Sequence, residues 1–315
     1  MGAVIEIEGL RKEYRRRGGR SVAVDGLDLT VPEGGVFGFC GPNGSGKTTT
    51  IRCLLGLVRP SGGRLRLLGR PVPGGLADAA RSVGAIVEAP AMFPTMTGRE
   101  NLRLLGAIDG IPPARVDDLL DELGLAAAAG DAVRKYSLGM RQRLGLAAAL
   151  LKDPALVVLD EPANGLDPAG IAQVRVLLRR LGAEGRTVFV SSHQLQEVEV
   201  TCDRVAILSR GRLVETGPVA DVLGAPAVLA RVADPAAGLE ALGRAGLAAV
   251  VDGDHLRVDL HPDRSEEVSR ALGARGLWVR ELRPVRRSLE ERFFELTGDA
   301  GPEPGEAVER EAVPA

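Results

Sequence analysis

Aromatic side chains are scarce in this sequence of 315 residues, at 3% of the total. Few rings are therefore available to stack on unpaired bases, as binders of single-stranded nucleic acid require. An excess of positive charge is also lacking, because Lys+Arg 40 is balanced by Asp+Glu 42, for a formal net charge of -2. Since affinity for nucleic acid depends on neutralising phosphates, both shortages argue against nucleic acid as a partner.

Cysteine and lysine are scarce as well. The three cysteines, Cys40, Cys53 and Cys202, form no C-x-x-C pair. This number and spacing disfavour a disulfide framework or a structural zinc site and favour a reducing compartment. Four of the 40 basic residues are lysines, and the rest are arginines. A lysine retained against this bias has more weight as a functional residue, and one of the four is Lys47.

Long hydrophobic runs are missing too. No stretch reaches the roughly 18 uncharged apolar residues of a membrane-spanning helix. Residues 1–6 have the pattern of a strand rather than of a signal peptide. We therefore expect a cytoplasmic protein that reaches a membrane only as a peripheral partner of another chain.

Hydrophobic periodicity divides the chain into two domains. In residues 1–224, short apolar strands alternate with helical stretches, which is typical of a largely parallel α/β sheet covered by helices. Residues 90–151 are mostly helical and predict a helical subdomain, whereas the basic segment 11–20 is predicted to be a loop. Residues 225–298 follow the order β-α-β-β-α-β, which predicts a small α+β domain of the split βαβ type. The acidic, proline-containing segment 299–315 is predicted to be disordered.

A glycine-rich segment, Gly-Pro-Asn-Gly-Ser-Gly-Lys-Thr at 41–48, matches the pattern G-x-x-x-x-G-K-[ST]. It stands between a buried strand and a helix, where backbone amides and the helix dipole favour bound phosphate. Lys47 is expected to reach the β and γ oxygens of a nucleoside triphosphate, and Thr48 to ligate Mg²⁺. The predicted nucleotide-binding residues of this segment are Gly41, Pro42, Asn43, Gly44, Ser45, Gly46, Lys47, Thr48 and Thr49.

Two acids follow an apolar strand at 156–159. An acid at the end of such a strand can lie beside the phosphate loop and hold Mg²⁺, which is the role predicted for Asp160. The next residue, Glu161, is placed to orient or deprotonate an attacking water. The alternative interpretation is a pair of solvated acids at a strand end.

The segment Ser137-Leu-Gly139-Met-Arg-Gln142 opens another helix. A serine at this position fits simple N-capping, in which its hydroxyl accepts a backbone N–H of the first turn. It also fits a second helix start that binds phosphate. The chemistry of the segment alone favours capping.

Together these segments resemble an ABC-type ATPase domain. The resemblance covers about residues 3–222 and implies a P-loop NTPase fold with a helical subdomain. The motifs that carry it, in the order of that family, are the loop at 41–48, Tyr136-Ser-Leu-Gly139-Met-Arg-Gln142, Leu159-Asp-Glu161-Pro162, Asn164-Gly-Leu-Asp167 and Ser191-Ser192-His193.

In that family two ATPase domains enclose two ATP molecules head to tail. The resemblance therefore implies a homodimer with ATP and Mg²⁺ as ligands. Ser137, Gly139 and Gln142 would form the signature that contacts the ATP bound to the partner copy. Asp167 would cross the dimer interface.

Three further roles depend on the same resemblance. His193 would sense the γ-phosphate, and Tyr14 would stack on adenine. Glu88 departs from the family pattern, because it stands where glutamine usually touches Mg²⁺ or the water. A carboxylate there would add charge beside the metal, and the alternative is a solvated acid. This Glu-containing loop is similar to that of bacitracin-type and daunorubicin-type exporters.

The resemblance thus implies the ATPase subunit of an exporter for a drug, an antibiotic or another amphipathic compound. Such a subunit acts with a separate integral-membrane permease at the inner face of the cell membrane. The domain at 225–298 would be accessory or regulatory. The alternatives are the ATPase of an ABC importer and a non-transport ABC ATPase that acts on ribosomes or DNA.

Overall fold

A computed structural model describes residues 2–16, 19–88, 92–224, 226–285 and 288–297. The segment predicted to be disordered, 299–315, lies outside the described residues. Contacts between Cα atoms divide the chain into two units, Met1–Pro218 and Val219–Ala315. The composition of the sequence changes slightly later, at about residue 224.

The first unit is built from two sheets and a group of helices. Its strands are β1 (Ala3–Arg16), β2 (Gly19–Pro32), β3 (Gly35–Cys40), β4 (Gly62–Leu67), β5 (Arg70–Val72), β6 (Val83–Ile86), β7 (Leu156–Asp160), β8 (Thr187–Ser192), β9 (Arg204–Ser209) and β10 (Arg212–Pro218). Its helices are α1 (Lys47–Leu54), α2 (Leu76–Ala79), α3 (Gly98–Ile108), α4 (Pro113–Glu122), α5 (Leu138–Leu150), α6 (Pro168–Ala183) and α7 (Leu195–Thr201).

The larger sheet has the strand order β10-β9-β3-β8-β7-β6. Strands β6, β7, β8, β3 and β9 are parallel, and β10 joins the edge in the antiparallel direction. All five residues of β7 are buried, as expected for a parallel strand covered on both faces. The register pairs Cys40 with Ser192 and Asp160 with Ser191. The loops that follow β3, β7 and β8 therefore leave the same edge of the sheet.

The smaller sheet has the order β2-β1-β4-β5 and corrects one prediction. The described part of segment 11–20 is not a loop, because β1 and β2 continue as a hairpin that pairs Tyr14 with Ser21 and Arg15 with Arg20. Register shifts near residues 10–13 interrupt the alternation of side chains between the two faces of the sheet. The sequence therefore lacks the alternating hydrophobic pattern that would predict a strand here. The charges are also matched locally, since Arg11 forms ion pairs with Glu13 and Asp25.

Helices α3, α4 and α5 pack against one another and form the helical subdomain. Helix α3 begins at a capping box, in which Thr97 and Glu100 exchange side-chain and backbone hydrogen bonds. Leu102, Leu119 and Leu144 are fully buried. No helix within the described ranges has the length and apolar character needed to span a membrane.

The second unit contains α8 (Val219–Leu223), β11 (Ala227–Arg231), α9 (Pro235–Arg244), β12 (Ala249–Asp252), β13 (His255–Val258), α10 (Ser265–Gly273), β14 (Glu281–Val285) and α11 (Leu289–Thr297). The sheet order β12-β13-β11-β14, with every neighbour antiparallel, places β13 between β11 and β12. This is the predicted split βαβ arrangement. Its core includes Leu242, Leu256, Val268 and Leu272. Helix α8 contacts α11 within this unit.

Phe189 is central to the core of the first unit. Its ring is fully buried and lies 5.9 Å from that of Phe37 and 5.2 Å from that of Phe39. We expect Phe189→Ala to lower the free energy of unfolding by about 3–5 kcal/mol, because it leaves a cavity beneath the sheet. Urea unfolding measures this change. The control Phe93→Ala removes a ring that is 55% exposed, and an equal loss in that variant would contradict the prediction.

Candidate functional site

The glycine-rich loop follows β3 and closes tightly against its surroundings. Gly41, Gly44 and Gly46 have positive φ angles of 153°, 81° and 105°. A Cβ atom on Gly41 would lie 2.2 Å from the carbonyl oxygen of Leu208, and one on Gly46 would lie 2.6 Å from that of Ala23. Glycine is required at both positions, since a side chain would collide with backbone atoms.

The start of α1 offers hydrogen-bond donors beside this loop. Gly46, in the N-cap position, provides no side-chain cap. The backbone amides of Lys47, Thr48 and Thr49 belong to the first turn, where a helix has no acceptor for its N–H groups. The hydroxyl of Ser45 is buried and has no hydrogen-bond partner. Donors of this kind at the positive end of a helix suit a phosphate group.

Lys47 lies inside the loop. Its side chain is 4% exposed, and its ammonium group donates to the carbonyl oxygens of Gly41 at 2.6 Å and Pro42 at 3.3 Å. The Nζ atom is 3.4 Å from Oε1 of Glu161. The buried charge is therefore compensated by two carbonyl groups and one carboxylate, as burial of an ammonium group requires.

Asp160 joins the loop to the neighbouring strands. Its Oδ1 atom accepts hydrogen bonds from Oγ1 of Thr48 at 3.2 Å and from Oγ of Ser191 at 2.6 Å. Hydroxyl and carboxylate oxygens are ligands that Mg²⁺ prefers, so Thr48 and Asp160 fit this ion. Within the described residues no group of three His, Cys, Asp or Glu side chains could hold a metal.

Glu161, the residue that follows β7, has a strained backbone conformation. Its φ angle is 51°, in the left-handed region that costs a residue other than glycine about 1–3 kcal/mol. Its N–H donates to Oγ of Ser191 at 3.0 Å. Its Oε2 atom accepts the backbone N–H of His193 at 3.3 Å and lies 2.8 Å from Nδ1 of that ring. The carboxylate is thus held at the edge of the sheet, beside Lys47.

Lys47, Thr48, Glu161 and His193 line one cavity of about 450 Å³, whereas Asp160 is not among its lining residues. Tyr14 forms part of its wall, and the ammonium group of Lys12 lies 4.8 Å from the centre of the Tyr14 ring. One face of this ring is therefore covered by a cation, a favourable contact. The lining residues are Tyr14, Ser21, Val22, Ala23, Asn43, Gly44, Gly46, Lys47, Thr48, Thr49, Glu161, Asn164 and His193.

Sequence reasoning missed some residues of this site. Ser191 was noted only as part of a motif, although its hydroxyl bonds both Asp160 and the N–H of Glu161. Only the pairing of β7 with β8, which places Ser191 opposite Asp160, reveals this role. No local sequence pattern contains that register. Ser21, Val22 and Ala23 belong to β2 and were not assigned to the site. They reach the cavity because β2 pairs with β1 beside Tyr14, a contact between strands that no local pattern contains.

A second cavity, of about 340 Å³, brings Ser137, Gly139 and Asp167 together. The hydroxyl of Ser137 caps α5 by accepting the N–H of Met140 at 3.2 Å, as the chemistry of the segment favoured. Asp167 caps α6 by accepting the N–H of Gly170 at 2.9 Å. A hydroxyl that accepts one bond retains its own O–H as a donor, so capping leaves Ser137 able to bind an anion.

Gln142 and Glu88 lie apart from the residues grouped with them in the sequence. Gln142 is on α5 but is not among the residues that line the second cavity. Glu88 is exposed, has a φ angle of 62° and forms an ion pair with Arg52 of α1. It does not line the cavity that contains Thr48. The structure therefore pairs its carboxylate with Arg52.

The three cysteines are free and buried. Burial disfavours the thiolate, and it raises the pKa of Cys40 to about 12 and that of Cys202 well above its ordinary value. Neither of these thiols has the lowered pKa of a nucleophile at neutral pH.

The family model for ABC transporters matches residues 24–164. The chain is also 39% identical to an uncharacterized ABC transporter ATP-binding protein, YhcH of Bacillus subtilis (strain 168), over 95% of this chain and 97% of that protein. The chain belongs to the ABC transporter ATP-binding proteins. The bacitracin transport ATP-binding protein BcrA of Bacillus licheniformis is 43% identical, over 69% of this chain and 71% of that protein. The daunorubicin resistance ATP-binding protein DrrA3 of Streptomyces coeruleorubidus is 36% identical, over 94% and 96% respectively.

The predicted family and its bacitracin-type and daunorubicin-type subgroup are thus confirmed, and this ABC ATP-binding protein is an ATPase. Among solved structures, the dimeric ATP-binding cassette MJ0796 bound to ADP and Pi matches with a TM-score of 0.63. The match covers 69% of this chain and 99% of that one at 22% identity. It confirms the predicted P-loop NTPase fold of the ABC type.

Proposed function

We propose that this ABC ATPase powers export of a drug, an antibiotic or another amphipathic compound through a separate membrane permease. The observation that carries the proposal is the match to the daunorubicin resistance protein, which extends over 94% of this chain. That length includes most of the second unit as well as the ATPase domain, so the resemblance is not limited to the motifs shared by all ABC proteins. The subunit would work in the cytoplasm, at the inner face of the cell membrane.

In this proposal the cavity of about 450 Å³ holds ATP. The loop at 41–46 and the first turn of α1, Lys47 to Thr49, bind the phosphates through backbone amides and the ammonium group of Lys47. The adenine stacks on the face of Tyr14 that Lys12 does not cover. Thr48 and Asp160 would hold Mg²⁺, which when bound neutralises charge that develops on the phosphates.

Glu161 serves as the general base of hydrolysis. Its carboxylate orients the water that attacks the γ-phosphate and accepts a proton from it, which yields ADP and inorganic phosphate. His193 holds the carboxylate, since its Nδ1 and its backbone nitrogen are 2.8 Å and 3.3 Å from Oε2. In the same position it would respond to the γ-phosphate.

Two copies of the subunit would enclose two ATP molecules. Ser137, Gly139 and Gln142 would contact the ATP bound to the partner copy, with Ser137 and Gly139 at its γ-phosphate. Asp167 would cross the interface between the copies. The shared cavity of Ser137, Gly139 and Asp167, and the free O–H of Ser137, support this arrangement. Glu88 would join the Mg²⁺ site if its carboxylate exchanged the ion pair with Arg52 for the metal. The second unit would have an accessory or regulatory role.

A first test concerns adenine. We expect Tyr14→Ala to weaken ATP binding about fivefold or more, because stacking of a base on an aromatic ring contributes about 1–3 kcal/mol. Tyr14→Phe keeps the ring and is expected to bind ATP with nearly unchanged affinity. Titration with a fluorescent ATP analogue measures both constants. Equal affinities of Tyr14→Ala and the unmodified protein would exclude the stacking role.

The transport function is tested by finding the partner. Tagged Glu161→Gln protein is expressed in the native host, the membranes are solubilised with ATP present, and the proteins that co-purify are identified. A polytopic membrane protein in near-equal amount is the expected result. Recovery from the soluble fraction alone, together with ribosomes or nucleic acid, would contradict the proposal and favour a non-transport ATPase.

A further inference from the structure

An ion pair between Arg175 and Glu197 joins α6 to α7 away from the residues that line the nucleotide cavity. Nη2 of Arg175 lies 3.1 Å and 2.9 Å from the two carboxylate oxygens of Glu197. The side chains are 35% and 27% exposed, and Nε of Arg175 is buried without a hydrogen-bond partner. A half-buried pair with an unsatisfied donor contributes little net stability, because desolvation offsets the attraction. The main effect of the pair is therefore expected on the relative position of the two helices rather than on the free energy of unfolding.

Each of the two helices begins one or two residues after a residue of the proposed site, Asp167 for α6 and His193 for α7. Helix α6 starts directly after Asp167, which caps it. Helix α7 starts two residues after His193, and Glu197 in its first turn donates its N–H to the carbonyl oxygen of Gln194 at 3.2 Å. The ion pair therefore connects the helix that follows Asp167 to the first turn behind His193.

The space behind the pair is incompletely filled. Residues of α6, α7 and β8 and of the segment that follows β7 line a cavity of about 30 Å³. Its lining includes Glu161, Asn164 and Ser192 as well as Arg175 and Glu197. Since closely packed side chains normally resist relative motion, a gap at this place leaves the two helices freer to shift. The ion pair is a direct contact between the two helices beside this gap.

We infer that Arg175 and Glu197 are positioning residues for ATP hydrolysis. By fixing the separation of α6 and α7, the pair holds His193 against Glu161 while Asp167 engages the partner copy. The inference rests on the proposed function, because it assumes the roles given there to Glu161 and His193. Neither residue lines the nucleotide cavity, so the pair acts on the rate of hydrolysis rather than on ATP binding.

The test measures ATP turnover of Arg175→Gln and Glu197→Gln. We expect kcat to fall about tenfold in each variant, since small misplacements of catalytic groups have effects of this size or larger, while KM for ATP changes less than about twofold. The double variant Arg175→Glu with Glu197→Arg restores a pair of opposite charges. It is expected to recover to within about threefold of the unmodified rate, as coupled residues do in a double-mutant cycle.

Arg180→Gln is the matched control on the same helix. Arg180 pairs with Glu122 of α4, and these side chains are 43% and 27% exposed. Thermal unfolding should show similar losses of stability in Arg175→Gln and Arg180→Gln, but kcat should stay near normal only in Arg180→Gln. Equal losses of kcat in the two variants, or a double variant no faster than the single ones, would overturn the inference.

Glu161→Gln in the same assay separates this inference from the function on which it rests. A Glu161→Gln protein that hydrolyses ATP at the normal rate would refute the proposed mechanism. A slow Glu161→Gln protein beside a fast Arg175→Gln protein would refute only the role of the ion pair.

Discussion

The Glu161→Gln variant is expected to bind ATP and to hydrolyse it at least about a hundredfold more slowly, the usual contribution of a general base. Glutamine keeps the size of the side chain and its hydrogen-bonding capacity toward His193, but it cannot accept the proton of the attacking water. The phosphate loop is unchanged, so affinity for ATP should be retained. Phosphate release and nucleotide binding, measured on the same preparation, provide the two quantities.

The same variant should accumulate as an ATP-bound dimer, because hydrolysis is the step that would separate the copies. Size-exclusion chromatography with and without ATP measures this. Glu184→Gln is a suitable control, since Glu184 follows the last turn of α6 and pairs with Arg186 away from the cavity. Turnover of Glu161→Gln close to that of Glu184→Gln would remove Glu161 from the mechanism.

Lys47→Ala is expected to have the largest effect on ATP binding itself. A charge-assisted hydrogen bond contributes about 1.5–3 kcal/mol, so the Kd for ATP should rise about 10-fold to 100-fold. The ammonium group also bonds the carbonyl oxygens of Gly41 and Pro42. Its removal therefore loosens the loop in addition to deleting a charge. Isothermal titration calorimetry measures the affinity.

Lys152→Ala provides the matched control for this substitution. Nζ of Lys152 also donates to a backbone carbonyl, that of Ala80 at 2.6 Å, in a part-buried setting. It does not line the nucleotide cavity, so the Kd for ATP should be unchanged. If Lys47→Ala and Lys152→Ala bound ATP equally well while both remained folded, the phosphate-binding role of Lys47 would be wrong.

Several features follow from contiguous sequence and were predicted without the structure. The phosphate loop needs glycines at fixed positions beside a buried strand and a helix start, and all of these lie within a few neighbouring residues. The parallel strands of the large sheet are buried on both faces, so each is a short apolar run. The order of elements in the second unit likewise follows from periodicity, because each element there is short and regular.

Other features depend on contacts between segments far apart in the sequence. The register of β7 on β8 places Ser191 against Asp160, and the hairpin of β1 and β2 carries Tyr14 into the nucleotide cavity. Arg52 holds Glu88, and Glu197 holds Arg175. In each case the partner lies on another strand or helix, and its identity depends on how the elements pack. Local patterns reveal which residues can take part in the chemistry, whereas strand register and helix packing decide which of them meet.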